Sequence, residues 1–255
     1  MAKTARIAVE QDPPTTADND DVARFSAIAE AWWDVNGDFR PLHKLNPTRL
    51  TFIREHLCGH FERQPNGDKP LAGLDIIDIG CGGGLLSEPM RRLGANVTGI
   101  DASDKNIAVA RLHAEQSGLA INYRHMLPED LPAETQRFDV VLNMEVVEHV
   151  ADLGLFLDAS AALVKPGGVM IVSTLNRTVK SLALAKVGAE YVLRWLPVGT
   201  HDWRKFVRPS ELAAGLRPHG LEVRDLKGMI YRPIADEWTL GRDLSVNYLA
   251  FAVKE

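Results

Sequence analysis

The sequence predicts an α/β domain on an open, mostly parallel sheet that ends in antiparallel strands. Three observations carry this. Five short apolar runs alternate with helical segments, which implies a parallel sheet covered by helices on both faces. A turn with four glycines in five residues, 80–84, follows the first run. Two β-rich runs near the C-terminus, residues 221–231 and 246–253, lack the helix that a parallel crossover requires. They are expected to pair as an antiparallel hairpin at the sheet edge.

The elements follow in chain order. Glu10, Asp12, Asp18, Asp20 and Asp21, with Pro13-Pro14, make residues 1–20 read as a disordered polar tail. Residues 21–34 space Phe25, Ile28 and Trp32 onto one helical face, and residues 47–61 form a second helix. Asn46 suits its N-cap and Pro47 its first turn. After the loop Gln64-Pro65-Asn66-Gly67-Asp68, strands are expected at 75–79, 97–101, 121–125, 138–142 and 169–174. Helices fill the gaps at 85–93, 105–117 and 153–164, and Lys165-Pro166-Gly167-Gly168 is a turn ahead of the fifth strand. One domain is expected over 21–255, with a helical cap at 21–62 and a helical insertion at about 178–205.

Composition narrows the class. A net charge of −5 over 255 residues argues against a nucleic-acid partner held through phosphates. Cys58 and Cys81 lie far apart and suggest neither a disulfide framework nor a zinc site. No apolar run approaches the roughly 20 residues that cross a bilayer. The acidic start fits neither a secretory signal nor a transit peptide. The chain is expected to be cytoplasmic.

The most informative stretch is Leu74-Asp75-Ile76-Ile77-Asp78-Ile79-Gly80-Cys81-Gly82-Gly83-Gly84. Such a turn at the carboxyl end of a parallel strand is where open α/β sheets bind nucleotide-like molecules. The dinucleotide fingerprint needs glycine at its sixth position, and counting from Gly80 that position is Leu85. Asp101 ends the second strand 21 residues after Gly80, where a carboxylate accepts hydrogen bonds from both hydroxyls of a ribose. That spacing supports an adenosine-bearing cofactor, and a helix N-cap before Lys105 is its plainer reading.

The fourth strand runs into Met144-Glu145-Val146-Val147-Glu148-His149-Val150. On a helical turn, Glu145, Glu148 and His149 share one face. Two carboxylates and an imidazole suit a divalent ion such as Mg²⁺. The same histidine suits proton removal from a substrate hydroxyl. An exposed, charged helix start is the alternative.

The order acid-x-Gly-x-Gly-x-Gly resembles motif I of S-adenosylmethionine-dependent methyltransferases. More specific likeness lies in Ala31-Trp32-Trp33-Asp34, Pro41-Leu42-His43-Lys44-Leu45-Asn46-Pro47, Ser173-Thr174-Leu175-Asn176-Arg177 and Gly199-Thr200-His201-Asp202. With Gly188-Ala189-Glu190-Tyr191 and Val246-Asn247-Tyr248, these resemble the ubiquinone-biosynthesis O-methyltransferase family from about Ala23 to the end. The resemblance implies the class I methyltransferase fold, a seven-stranded sheet with an antiparallel terminal hairpin. It implies methyl transfer from S-adenosylmethionine to phenolic hydroxyls of polyprenylated rings, at both O-methylations of the pathway. Cofactor contacts would fall on Arg49 for the methionyl carboxylate, Asp78 for the amine, Gly80 and Gly82 for the methionine part, Asp101 for the ribose, and Met144. Divalent-metal ligands, Mg²⁺ or similar, would fall on Glu145, Glu148 and His149, with His149 and Glu145 catalytic. Where related methyltransferases place an adenine-binding acid this chain has Leu127, leaving backbone near Leu127 and Pro128, or Glu129 or Asp130.

Residues 179–197 combine Leu, Val, Tyr191 and Trp195 with Lys180, Lys186 and Arg194. Such a segment can lie in a membrane interface, cover a hydrophobic substrate or pack on the sheet. The resemblance favours the first, because a polyprenylated phenol resides in the bilayer. It implies peripheral contact with an anionic membrane at the inner face of the cell membrane, and membership of a ubiquinone-biosynthesis complex. A methyltransferase of another small molecule and an NAD oxidoreductase are the rival readings. Leu85 counts against the second.

Overall fold

The computed structural model describes residues 15–133, 135–184 and 202–255. Eight strands form one sheet in the order β3-β2-β1-β4-β5-β8-β6-β7. The parallel half comprises β1 (Asp75–Ile79), β2 (Asn96–Asp101), β3 (Asn122–His125), β4 (Phe138–Met144) and β5 (Val164–Leu175). The order reverses at β1, with β2 on one side and β4 on the other, which is the switch point where such sheets bind ligands.

The antiparallel end departs from expectation in count and connection. β6 (Leu221–Arg232) and β8 (Asn247–Lys254) do pair antiparallel, but β8 slots between β5 and β6 instead of lying at the edge. The hairpin partner of β6 is an eighth strand, β7 (Glu237–Gly241). The physical reason is burial. Six successive residues of β8, Asn247 to Ala252, are buried, as an interior strand requires, whereas β7 is only partly covered.

Period-two alternation splits the core between the two faces. Ile77, Ile79 and Val141 face one layer with Phe156 and Leu157 of α5 (Leu153–Ala162) and Leu212 and Leu216 of α7 (Pro209–Leu216). Ile76, Val140 and Leu142 face the other, against Phe52, Ile53 and Leu57 of α2 (Arg40–His60) and Met90 of α3 (Ser87–Arg92). α4 (Asp104–Gln116) covers β2 and β3, and α6 (Val179–Ser181) is a single turn.

Three local expectations are corrected ahead of β1. The second helix begins at Arg40, so Pro47 lies inside it and Asn46 is no cap. Asn46 Nδ2 instead donates to the Leu85 carbonyl at 2.8 Å. The missing backbone bond at Pro47 is outweighed by a face that buries Leu45, Phe52, Ile53 and Leu57. The helix expected at 21–34 is divided into α1 (Asn19–Ala27) and a 3₁₀ turn at Ala29–Ala31. The expected tail lies outside the described residues up to residue 14, but from Thr15 the chain is packed, not loose. Thr16 is buried, its N–H and Oγ1 each donating to the Glu129 carboxylate at 2.8 Å, and Asp18 caps α1.

Candidate active site

A cavity of about 850 Å³ opens at the carboxyl ends of β1, β2 and β4. Ile79 and Gly80, Asp101, and Met144 line its floor. Phe25 of α1, Trp32, Phe39 and Leu45 form an apolar wall, and Tyr231 and Trp238 of the terminal hairpin close another side.

The glycine turn is needed by its neighbours before any ligand is considered. Gly80 and Gly82 adopt φ of +69° and +52°, where a side chain is strained. A Cβ at Gly80 would stand 2.4 Å from Val146, and one at Gly82 would stand 2.3 Å from the Trp32 ring. The turn therefore needs its glycines for packing against Val146 and Trp32. Asp78 is not among the residues lining the cavity. Strand alternation turns its carboxylate away from Ile79, and it accepts from Ser87 Oγ at 2.6 Å at the start of α3. Burial pushes its pKa up to about 7. Its bond to Ser87 ties the end of β1 to the start of α3.

Asp101 does line the cavity, with its carboxylate held by backbone. Gly82 N–H donates to Oδ2 and Ser103 N–H to Oδ1, both at 2.9 Å. Burial raises its pKa above the ordinary carboxylate value. Arg49, 5% exposed, stands 3.0 Å from Glu145 Oε1, and its Nε has no acceptor. A buried guanidinium with an unpartnered N–H beside a cavity fits a carboxylate ligand.

The residues after β4 form turns, not the helical turn expected. Glu145 sits at φ +55°, an uncommon conformation for a residue with a side chain. Each of the segment's three polar side chains has a further partner outside the turn. Glu145 meets Arg49 and takes a hydrogen bond from Ser173 Oγ. Burial opposes its ionisation, but Arg49 and Ser173 outweigh it and hold the pKa below the usual value. Glu148 accepts from Thr174 Oγ1 at 2.8 Å, while its Oε1 has no donor. Burial, with the charge of Glu145, pushes Glu148 up to about 7. His149 Nδ1 lies 3.2 Å from Asp21 Oδ2, and the ring meets Phe25 edge-on at 5.2 Å. Burial lowers the histidine pKa, but Asp21 and the two glutamates outweigh it and raise it. Among the described residues no group of three His, Cys, Asp or Glu is arranged to hold a metal. His149 is held through Nδ1 by Asp21, and Arg49 and Ser173 both meet Oε1 of Glu145. What remains is a buried pair of interacting carboxylates, Glu145 and Glu148, with an undonated oxygen. Mg²⁺ takes one or two carboxylates and keeps its waters, so these carboxylates suit a hydrated ion.

Sequence spacing missed Asp21, which was read as the edge of a tail. It also missed the fate of Glu129 and Asp130. Glu129 is taken up by Thr16, and Asp130 Oδ2 accepts from Leu127 N–H at 3.1 Å. Met126, Leu127 and Pro128 line the cavity in their stead. Of the insertion, Lys180 pairs with Asp243 at 2.6 Å and Leu184 lines the cavity, half exposed. Lys186, Tyr191, Arg194 and Trp195 lie outside the described residues.

A family model described as a methyltransferase domain matches residues 51–226. The ubiquinone biosynthesis O-methyltransferase of Paramagnetospirillum magneticum is 57% identical over 239 residues, covering 94% of this chain and 96% of that protein. The chain belongs to the ubiquinone biosynthesis O-methyltransferase family. The Chelativorans member is 56% identical over 240 residues, covering 94% of this chain and 95% of its own. Solved structures give the fold independently. Magnesium protoporphyrin IX methyltransferase of Synechocystis, with bound S-adenosylhomocysteine, superposes with a TM-score of 0.66 at 20% identity, over 93% of this chain and all of that one. A possible histamine N-methyltransferase of Thermotoga maritima gives 0.61 at 17%, over 92% of this chain and 99% of that one. The class I methyltransferase fold is thus established, with eight strands among the described residues. The enzyme is an S-adenosylmethionine-dependent O-methyltransferase.

Proposed function

We propose that the enzyme methylates phenolic hydroxyls of polyprenylated rings, at both O-methylation steps of ubiquinone biosynthesis. One observation supports this beyond the family match: an apolar cavity reaches His149, a histidine held by a buried carboxylate, beside the floor where the cofactor residues converge.

S-adenosylmethionine supplies the electrophilic methyl group. Arg49 holds its carboxylate end, the Gly80–Gly82 turn and Met144 shape the floor under it, and Asp101 accepts from the ribose. A phenol, with a pKa of about 10, is mostly protonated at neutral pH, so a group must take its proton. Asp21 holds His149 through Nδ1, and His149 is the group that accepts the phenolic proton. The apolar wall of Phe25, Phe39 and Leu45 receives the ring and the start of its tail and excludes water. At Glu145 and Glu148 a divalent ion would lower the phenol pKa and orient its oxygen. The partner surface we propose is an anionic bilayer at the inner face of the cell membrane, contacted through the basic and aromatic residues of 179–197. Among the described residues no helix is long and apolar enough to cross a membrane.

The test is product analysis with methyl-labelled S-adenosylmethionine and short-chain polyprenyl catechols. Label on the ring oxygen is the expected result. Turnover confined to thiol or amine acceptors would overturn the phenolic reading.

A further inference from the structure

Asp101 has a third donor, and it does not come from the glycine turn. Asn106 Nδ2 donates to Oδ1 at 3.1 Å, and the Asn106 carbonyl oxygen accepts from the Trp32 indole N–H at 2.9 Å. Asn106 is 3% exposed and Trp32 8%. The relay is stiff for identifiable reasons. Asn106 lies in the first turn of α4, its own N–H bonded to the N-cap oxygen of Ser103. Trp32 stacks on Phe39 at 3.7 Å and lies over Gly82 and Gly83, where a side chain would collide with it. Ser26 Oγ meets Ser103 Oγ at 2.6 Å, a second tie between the segment before α2 and the start of α4. If Asn106 turned away from Asp101, a buried indole N–H would be left unpaired, at substantial cost.

We propose that Trp32 and Asn106 are positioning residues for Asp101, so that the N-terminal segment completes the ribose site from outside the sheet. A carboxylate offers about four lone-pair sites. Three protein donors fix its rotamer and leave capacity for a sugar hydroxyl arriving from the cavity. Trp32 acts through Asn106 and holds no ribose atom itself. The inference rests on Asp101 being the ribose acceptor, and the experiment separates the two claims.

The experiment is calorimetric titration of S-adenosylhomocysteine and of its 2′,3′-dideoxy analogue. The proteins are the full chain and the variants Trp32→Phe, Asn106→Leu and Asp101→Asn. Trp32→Phe keeps an aromatic ring but loses the N–H donor and the part of the indole that lies against Gly82, so Asn106→Leu carries the discrimination. Asn106→Leu is a near-isosteric second route that does not touch the aromatic stack. Both should bind S-adenosylhomocysteine about fivefold to tenfold more weakly. Both should bind the dideoxy analogue as the parent does, and combining them should cost no more than the larger single loss. Equal losses on both ligands would reduce the pair to general packing and overturn the proposal, as would unchanged affinity in both variants. If Asp101→Asn binds S-adenosylhomocysteine like the parent, the ribose assignment itself fails, and the proposal with it.

Discussion

The glycine turn after β1 and the segment before α2 line two sides of one cavity, and they were built in different ways. The turn is local. Asp78, Gly80, Gly82 and, one strand later, Asp101 fall at spacings that backbone geometry dictates, and their positions are visible in the sequence as a pattern. The N-terminal segment is assembled by long-range contacts. Asp21 reaches His149 across 128 residues, Thr16 reaches Glu129 across 113, and Trp32 reaches Asn106 across 74. No periodicity announces these pairs. A motif locates a cofactor, while the residues that fix and charge it arrive from elsewhere in the chain.

The largest predicted effect lies where the two sides meet. His149→Gln should lower kcat by about 10²–10⁴-fold and leave S-adenosylhomocysteine affinity unchanged, read by steady-state kinetics beside calorimetry. A small kcat change would remove His149 as the proton acceptor. Next is the cofactor side alone. Asp101→Ala should weaken S-adenosylmethionine binding at least about tenfold with the fold retained. Unchanged affinity would take Asp101 out of the site.

Asp78 gives a pH-dependent contrast. Its folded pKa, near 7, lies above the unfolded value of about 4, so between these values the folded state holds the extra proton. Stability from this group is therefore full below about pH 4 and is lost as pH rises toward about 7. Asp78→Asn should flatten that decline in thermal melts across the window while keeping the Ser87 contact. An unaltered slope would mean the carboxyl is not buried as described.

The smallest expected effect concerns residues 179–197. Electrostatic attraction to an anionic surface is about 1 kcal/mol per basic residue. Lys186→Glu with Trp195→Ser should reduce liposome co-sedimentation modestly and slow turnover of a long-tailed substrate more than a short-tailed one. Equal co-sedimentation would end the membrane reading.

What the sequence disclosed follows the same division. β1 was read to the residue, and β2 to β4 within two, because short apolar runs end at glycines and acids. β7 was missed because Glu237-Trp238-Thr239-Leu240-Gly241 is a half-exposed edge strand whose pairing depends on β6. Asn46 and Pro47 misplaced the start of α2 because tertiary burial overrode local capping chemistry. Glu145, Glu148 and His149 were found as residues, but the turn that carries them was not. A helical turn was assumed where Glu145 takes a positive φ. Asp21 was unreadable for a simpler reason. An acid in an acidic tail carries no signal until its partner is in place.

The most direct test of this account is Asp21→Asn, measured for kcat, KM and S-adenosylhomocysteine affinity together. If the N-terminal segment completes the active site by orienting His149, kcat falls about tenfold or more, as for a lost charge-assisted hydrogen bond. Cofactor affinity then stays at the parent value, and Asp21→Glu restores part of the rate. If kcat is unchanged, or if rate and cofactor affinity fall together, the contact between Asp21 and His149 is structural and the account is wrong.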